Sequence, residues 1–168
     1  MNNCLLIVDV QKGFINQYTQ HIPEKVALIQ AEYDHVYISR FYNEPGSFFR
    51  NLLQWHRFDK DSLDFQLAFQ PASHATVLDK DIYSCVTPGY VKELNDLNAK
   101  IIDICGIDTD ICVTKCAVDL LENNFIPRVI ADYCGSTAGV AAHENGLVTL
   151  ERYIGKKQVI RHKDMASG

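Results

Sequence analysis

Short apolar segments alternate with segments of helical periodicity along most of this chain, and that alternation limits the possible folds. The predicted strands are 4–8, 35–40, 75–78, 100–105, 128–131 and 158–160, and the predicted helices are 24–32, 47–54, 88–97, 109–122 and 140–153. Strands that alternate with helices form βαβ units, which build a mostly parallel sheet with helices on both faces. At 168 residues the chain has the size of one domain, so a single α/β domain over 1–168 is predicted.

Composition and charge exclude several classes of partner. Hydrophobic residues make up 47% of the chain and charged residues 22%, which is typical of a globular protein and argues against disorder. No apolar run reaches the roughly 18 residues of a transmembrane helix. The formal net charge is −5, whereas surfaces that bind nucleic acid or anionic membranes are basic. We therefore expect neither nucleic acid nor a membrane as a partner.

The N-terminal segment and the cysteines predict a cytoplasmic protein. The first residues contain no basic leader, and Asp9 interrupts the apolar run, so this segment is not typical of a signal peptide. The six cysteines lack the density of a small secreted disulfide scaffold; they are Cys4, Cys85, Cys105, Cys112, Cys116 and Cys134. We expect free thiols.

Three reactive side chains follow three different predicted strands: Asp9 the first, Lys80 the third and Cys112 the fourth. Ligands of open α/β sheets bind beyond the carboxyl ends of the strands, so an acid, an ammonium and a thiol are predicted to meet at one edge. A helix N-terminus and a nearby ammonium stabilise a thiolate, and a carboxylate can take the thiol proton. Asp108 and Asp110 would raise the thiol pKa if they faced inward, so we expect at least one to face solvent or cap the helix.

Each of these residues also has a purely structural interpretation. Asp9 would simply end a strand, Lys80 would be a solvated lysine, and Cys112 would be a small buried hydrophobe. The four-residue spacing of Cys112 and Cys116, with His143 as a third candidate ligand, is not typical of structural zinc. The chain also lacks the GxGxxG, GxxxxGK and GxSxG motifs. We expect neither a metal nor a cofactor.

Three segments resemble the isochorismatase-like cysteine hydrolases. They are Leu-Leu-Ile-Val-Asp-Val-Gln-Lys-Gly-Phe at 5–14, Asp-Lys-Asp-Ile-Tyr-Ser at 79–84 and Cys-Gly-Ile-Asp-Thr-Asp-Ile-Cys-Val at 105–113. Arg-Val-Ile-Ala-Asp-Tyr-Cys-Gly-Ser at 128–136 is similar to the family's fifth strand and the loop after it. The resemblance implies a single three-layer domain whose six-stranded parallel sheet is flanked by helices, and a homo-oligomer, either a dimer or a tetramer.

The resemblance also implies a role for each reactive residue. Asp9 would be the proton acceptor and later the donor, and Lys80 would lower the thiol pKa and orient the pair. Cys112 would attack a carbonyl carbon and form an acyl-enzyme that water hydrolyses. A cis peptide would join Ile107 to Asp108, and the backbone N–H groups of Asp108 and Cys112 would form the oxyanion hole.

The chain departs from the nicotinamidases of this family after its second strand. Those enzymes carry an Asp-x-His motif there, and a further His, that bind a divalent metal, whereas residues 39–44 read Ser-Arg-Phe-Tyr-Asn-Glu. His56 and His74 are candidate imidazoles, but the leading pair is absent, so nicotinamide is not expected as the substrate. The isochorismatase branch, which cleaves a vinyl ether, typically lacks the cysteine, and Cys112 therefore favours cleavage of a C–N bond.

The sequence thus predicts a metal-independent cysteine hydrolase of a small amide or carbamoyl substrate. Two alternatives stay open: a vinyl-ether hydrolase that uses Asp9 as its acid, and a non-catalytic binding protein suggested by the poorly matching 41–74 segment. By the resemblance, Phe14, Tyr42 and Tyr83 would be pocket walls, although aromatic residues serve equally well as core. Three arginines are candidates to bind a substrate carboxylate or are simply exposed charges: Arg40, Arg50 and Arg57.

Overall fold

The computed structural model describes residues 3–165 and contains a six-stranded sheet with helices. The strands are β1 (Cys4–Val8), β2 (His35–Phe41), β3 (Ala75–Lys80), β4 (Ile101–Ile107), β5 (Ile126–Gly135) and β6 (Val159–Ile160). The α-helices are α1 (Ile22–Ile29), α2 (Phe48–Asn51), α3 (Pro88–Asp96), α4 (Thr114–Glu122), α5 (Val140–Ile154) and α6 (His162–Met165). Within 3–165, no helix combines the length and the apolar character needed to cross a bilayer.

All neighbouring strands are parallel, in the order β3-β2-β1-β4-β5-β6, which confirms the predicted fold class. β1 lies inside the sheet, and all five of its residues are buried, so both of its faces are covered. The connection from β1 to β2 runs toward the β3 edge of the sheet, whereas the connection from β3 to β4 runs in the opposite direction, toward the β6 edge. Right-handed crossovers therefore place α1 and α3 on opposite faces.

Local signals account for the ends of several helices. Thr87 caps α3, because its hydroxyl accepts a hydrogen bond from the Tyr90 N–H at 3.2 Å, and Pro88 occupies the first helical position. α5 ends at Gly155, whose φ of 93° suits glycine. The predicted helix 47–54 shortens to the single turn α2, since Gln54 has a φ of 55° that no right-handed helix accepts.

The predicted helix 109–122 begins differently from an ordinary α-helix. Thr109–Val113 forms one wide turn of π-helix, and α4 starts only at Thr114. The Val113 N–H donates to the Asp108 carbonyl at 3.1 Å, five residues earlier, as a π-turn requires. Such turns occur often at functional sites, and this one carries Cys112.

β1 and β4 approach each other very closely at Gly106, next to this turn. Gly106 has a φ of +125°, and a Cβ at this position would lie 2.1 Å from the Val8 carbonyl oxygen. Only glycine therefore permits the contact. The approach brings the carboxyl end of β1 beside the carboxyl end of β4, where Asp9 and the π-turn follow.

We expect Gly106→Ala to lower the free energy of unfolding by more than about 4 kcal/mol, because the new methyl collides with backbone of the neighbouring strand. Gly46→Ala is the matched control, since Gly46 has a φ of +83° but no atom within 4 Å of the added Cβ. That variant should lose only about 1 kcal/mol. Urea denaturation followed by circular dichroism measures both, and equal losses would contradict the packing argument.

Candidate active site

A cavity of about 560 Å³ opens at the carboxyl ends of the strands, where the sequence placed the reactive groups. Segments that follow β1, β2, β3, β4 and β5 all contribute to its wall, in agreement with the general location of ligand sites in open α/β sheets. Its lining residues are Lys12, Gly13, Phe14, Ile15, Asn16, Phe41, Phe49, Leu53, Trp55, Arg57, Phe58, Tyr83, Asp108, Ile111, Cys112 and Thr137.

Asp9, Lys80 and Cys112 come together at the base of this cavity. The Lys80 ammonium lies 2.7 Å from Asp9 Oδ2 and 3.8 Å from Cys112 Sγ. Asp9 is 0% exposed and Lys80 5%, so the ion pair is shielded from water behind the thiol. Cys112, at 8%, is the member of the three that lines the cavity.

Further hydrogen bonds hold the ion pair in a fixed geometry. The Lys80 ammonium also donates to the Ile82 carbonyl at 3.1 Å and the Tyr83 carbonyl at 2.9 Å, so its three N–H groups each have an oxygen partner. Ser39, on the intervening strand β2, donates its hydroxyl to Asp9 Oδ1 at 2.7 Å. Both carboxylate oxygens of Asp9 are therefore held, one by an ammonium and one by a hydroxyl.

The surroundings of the Cys112 thiol favour its protonated form. Burial raises the pKa of Cys112 well above its ordinary value, the Asp9 charge raises it further, and Lys80 lowers it only in part. Burial would lower the pKa of Lys80, but Asp9 and Cys112 outweigh that effect and raise it. Lys80 thus acts on the thiol in the expected direction, yet the net effect of the surroundings is a raised pKa of Cys112.

The other five cysteines lie away from the cavity wall. All six cysteines are free and buried, and among the described residues Cys112 alone of them lines the cavity. Cys116, one turn further along the helix, has its Sγ 3.8 Å from that of Cys85. Cys112 is consequently the thiol that a ligand in the cavity would meet.

Asp108 and Asp110 anchor the nucleophile's turn to the loop after β5. Asp108 accepts hydrogen bonds from the Thr137 N–H at 2.6 Å and the Thr137 hydroxyl at 2.8 Å, and Asp110 accepts one from the Ser136 hydroxyl at 2.7 Å. We expected at least one of the two to cap the helix or face solvent. Asp108 is buried and makes no capping bond, whereas Asp110 is partly exposed.

The Ile107–Asp108 peptide is cis, as the resemblance implies. It lies between the end of β4 and the π-turn that carries Cys112. The assignment of the Asp108 and Cys112 N–H groups to an oxyanion hole stays a prediction.

Two of the three predicted pocket walls line the cavity, and the third does not. Phe14 and Tyr83 are lining residues, whereas Tyr42 packs edge-on to Phe65 with a centroid distance of 6.3 Å and lies outside the wall. The prediction that Tyr42 is a pocket wall is therefore wrong, and its neighbour Phe41 lines the cavity in its place. Successive side chains point to opposite sides at the end of a strand, and the sequence did not show which of the two faces the cavity.

Sequence reasoning also missed the aromatic side chains between 41 and 58. Phe41 and Trp55 stack at 5.4 Å, and Phe58 stacks on Phe14 at 4.2 Å. The sequence signal was the high density of aromatic residues in this stretch. Because their spacing follows neither helical nor strand periodicity, it did not show where the rings would lie. The segment supplies much of the cavity wall.

Gln11 holds this aromatic segment to the end of β1. Its side-chain amide donates to the Phe41 carbonyl at 2.8 Å and the Phe65 carbonyl at 3.0 Å, and its oxygen accepts from the Phe41 N–H at 2.8 Å. Gln11 is fully buried. A buried amide with every group satisfied fixes the backbone around it, so Gln11 positions the Phe41 side of the cavity.

The three candidate arginines are all paired with protein groups. Arg40 binds Asp79 at 2.7 Å, away from the cavity. Arg50 donates to the Asn43 carbonyl at 2.7 Å and is also outside the cavity wall. Arg57 does line the cavity, where Asp64 holds its guanidinium through two hydrogen bonds of 2.8 and 2.9 Å.

The candidate histidines do not reach the cavity. His56 is exposed, and His74 lies at the amino end of β3 with its Nε2 3.2 Å from the Tyr33 carbonyl oxygen. Within residues 3–165, no group of three or more His, Cys, Asp or Glu side chains is arranged to hold a metal ion.

A parallel sheet of this strand order with a thiol and a buried ion pair at its carboxyl edge defines a doubly wound α/β protein with a cysteine-centred site. Residues 3–160 match the family model described as Isochorismatase domain. The chain therefore belongs to the isochorismatase family.

Individual relatives are similar over shorter stretches or at low identity. Isochorismatase domain-containing protein 2 of Xenopus laevis is 36% identical over 62 residues, which cover 36% of this chain and 30% of that protein. An isochorismatase-like hydrolase from Alkaliphilus metalliredigens superimposes with a TM-score of 0.85 at 15% identity, covering 99% of this chain and 98% of that one.

Two further solved structures share the fold. Nicotinamidase from Bacillus subtilis gives a TM-score of 0.82 at 17% identity, with 96% of this chain and 100% of that chain covered. N-carbamoylsarcosine amidase from Thermoplasma acidophilum gives 0.78 at 21% identity, with 96% of each chain covered.

Asp108 should make folding stability depend on pH. Burial raises its pKa to about 6, against the opposing hydrogen bonds from Thr137, so the folded protein holds this proton more tightly than the unfolded chain. The resulting stabilisation is complete below about pH 4 and is lost as the pH rises through 6. Relative to Asp108→Asn, the wild type should lose at most about 3 kcal/mol of unfolding free energy between pH 4 and 7.

Urea denaturation at pH 4, 5, 6 and 7 measures this difference. Asp61→Asn, at an exposed position, controls for the loss of one negative charge. A difference between wild type and Asp108→Asn that stays constant over this pH range would show that the carboxyl is already ionised at pH 4.

Proposed function

We propose that this protein is a hydrolase that cleaves the C–N bond of a small amide or carbamoyl compound through a thioester on Cys112, without a metal. The observation that carries the proposal is the Cys112 thiol on the cavity wall, next to the buried Asp9–Lys80 ion pair. The Lys80 ammonium lies 3.8 Å from Cys112 Sγ. Membership of the isochorismatase family supports it, as do structural neighbours named as a nicotinamidase and an amidase.

In the first step, the Cys112 sulfur attacks the substrate carbonyl carbon while its proton passes to the Asp9 carboxylate. The C–S bond forms, and the π electrons of the carbonyl move to its oxygen. Backbone N–H groups of Asp108 and Cys112 would stabilise the oxyanion. The raised pKa of Cys112 suits this order, because the carboxylate takes the thiol proton during the attack.

The C–N bond then breaks as Asp9 returns the proton to the leaving nitrogen, which leaves a thioester on Cys112 and an ionised Asp9. A water molecule gives a proton to Asp9 and attacks the thioester carbonyl. The C–S bond breaks, the carboxylic acid product departs, and Asp9 reprotonates the sulfur. Lys80 keeps its proton throughout, since its pKa is raised, and balances the charge of Asp9 and of the sulfur.

The residues at the end of β2, 39–44, support chemistry without a metal. Where nicotinamidases of the family carry Asp-x-His, this chain places Phe41 on the cavity wall. The 41–74 segment, whose poor match suggested a binding protein, supplies aromatic walls to the same cavity as the thiol. That placement favours catalysis over binding alone, because the cavity leads to the nucleophile.

Cys112→Ala should abolish hydrolysis of any primary amide that the wild type turns over. Electrospray mass spectrometry of the wild type mixed with substrate should show an added acyl mass on the intact protein. Digestion should place that mass on the Cys112 peptide, and the variant should show none. Cys4→Ala, at the opposite end of β1, is the control and should retain activity. Turnover of the amide by Cys112→Ala would instead refute the thioester, because hydrolysis would then proceed without the thiol.

The two members of the ion pair should have opposite effects on the reactivity of the Cys112 thiol. Asp9 raises the pKa of Cys112 and Lys80 lowers it, so Asp9→Asn should speed alkylation by iodoacetamide at pH 8, and Lys80→Met should slow it. Each pKa unit changes the thiolate fraction about tenfold while the thiol is mostly protonated. Rates come from mass spectrometry of the Cys112 peptide, and slower alkylation of Asp9→Asn than of wild type would refute the assigned electrostatics.

A further inference from the structure

Aromatic rings form a large part of the cavity wall that Cys112 shares. Six side chains contribute: Phe14, Phe41, Phe49, Trp55, Phe58 and Tyr83. They contact one another, with centroid distances of 5.2 Å between Trp55 and Phe58 and 5.1 Å between Phe49 and Tyr83. Connected rings form a continuous apolar surface that favours flat or bulky apolar groups.

The cavity is large for a substrate of one ring. Its volume is about 560 Å³, whereas an apolar cavity of about 150 Å³ already accommodates benzene. Cavities of roughly 300–1,000 Å³ are the usual size for ligands that bury most of their surface. A single-ring amide would therefore leave most of this wall uncovered.

The two basic groups on the cavity wall are both hydrogen-bonded to other protein groups. The Lys12 ammonium donates to the neutral Gln66 Oε1 at 2.8 Å, and the Arg57 guanidinium binds Asp64 and the Gly13 carbonyl. To bind Arg57, a carboxylate on the substrate would have to displace Asp64 from a two-bond pairing. The cavity is therefore better suited to an uncharged acyl group.

The apolar lining continues outward to the mouth of the cavity. Leu53, Tyr83 and Ile111 all line the cavity but remain 56%, 40% and 42% exposed. Large apolar side chains on a cavity wall that still face water gain free energy when a ligand covers them. A substrate that extends from Cys112 to the mouth would cover all three.

We propose, on the basis of the proposed amide hydrolysis, that the substrate carries an uncharged apolar acyl group larger than one six-membered ring. Its carbonyl carbon lies at Cys112 Sγ, and its rings or branched chain lie against the aromatic wall and reach Leu53 at the mouth. The apolar wall would then be covered by substrate and not by a second copy of this chain.

A series of primary amides tests the proposal on the wild-type protein. The series comprises acetamide, benzamide, 2-naphthamide and 4-carboxybenzamide, and ammonia release gives kcat/KM for each. We expect kcat/KM to rise at least about tenfold from benzamide to 2-naphthamide and to fall at least about tenfold from benzamide to 4-carboxybenzamide. A preference for acetamide or for the charged amide would overturn the proposal while leaving amide hydrolysis intact.

A variant of the wall separates recognition from general damage. Trp55→Ala should lower kcat/KM for 2-naphthamide at least about tenfold more than it lowers kcat/KM for acetamide. Phe48→Ala is the matched control, because Phe48 is 80% exposed, lies on α2 and does not line the cavity. Equal losses on both amides in Trp55→Ala would assign a purely structural role to the ring and overturn its part in recognition.

Binding without turnover keeps this proposal distinct from the proposed function. Isothermal titration of Cys112→Ala should show 2-naphthamide binding at least about tenfold more tightly than acetamide. If the wild type hydrolyses no amide but this difference in binding is found, the proposed hydrolysis fails and the recognition of bulky apolar groups stands. If neither amide binds and light scattering shows a dimer that Leu53→Glu dissociates, a second copy covers the wall and the proposal fails.

Discussion

The buried ion pair of Asp9 and Lys80 is the interaction on which the rest of the site depends. Moving two such charges out of water costs on the order of several kcal/mol for each ion, so the pair is stable only with close contact and further hydrogen bonds. Asp9 follows β1 directly and Lys80 ends β3, and Ser39 on β2 between them binds the same carboxylate. The strand order is therefore a condition for the pair.

The pair also connects the thiol to the cavity wall. Its ammonium binds the carbonyls of Ile82 and Tyr83, which fixes the backbone of a residue whose ring lines the cavity. Beside it, Gln11 fixes Phe41 through three hydrogen bonds. Because Asp9 and Gln11, two positions apart after β1, hold the acid and the aromatic wall, chemistry and recognition share one scaffold.

The order of elements and the edge where the reactive groups meet could be predicted, since both follow from apolar periodicity and the rule that sites lie at carboxyl strand ends. The choice between Phe41 and Tyr42 could not, because one residue of register moves a side chain to the opposite face. The π-turn around Cys112 was also missed, since its helical periodicity resembles that of an ordinary helix start.

The chain order of Asp9, Lys80 and Cys112 and their positions after strands are properties of the sequence alone, because local patterns define strand ends. Their contacts and the pKa of the thiol depend on the three-dimensional structure. Asp9 and Lys80, 71 positions apart in the chain, pair at 2.7 Å, and burial raises the pKa of the nearby thiol. Distance and desolvation depend on which distant segments pack together, and periodicity carries no information about either.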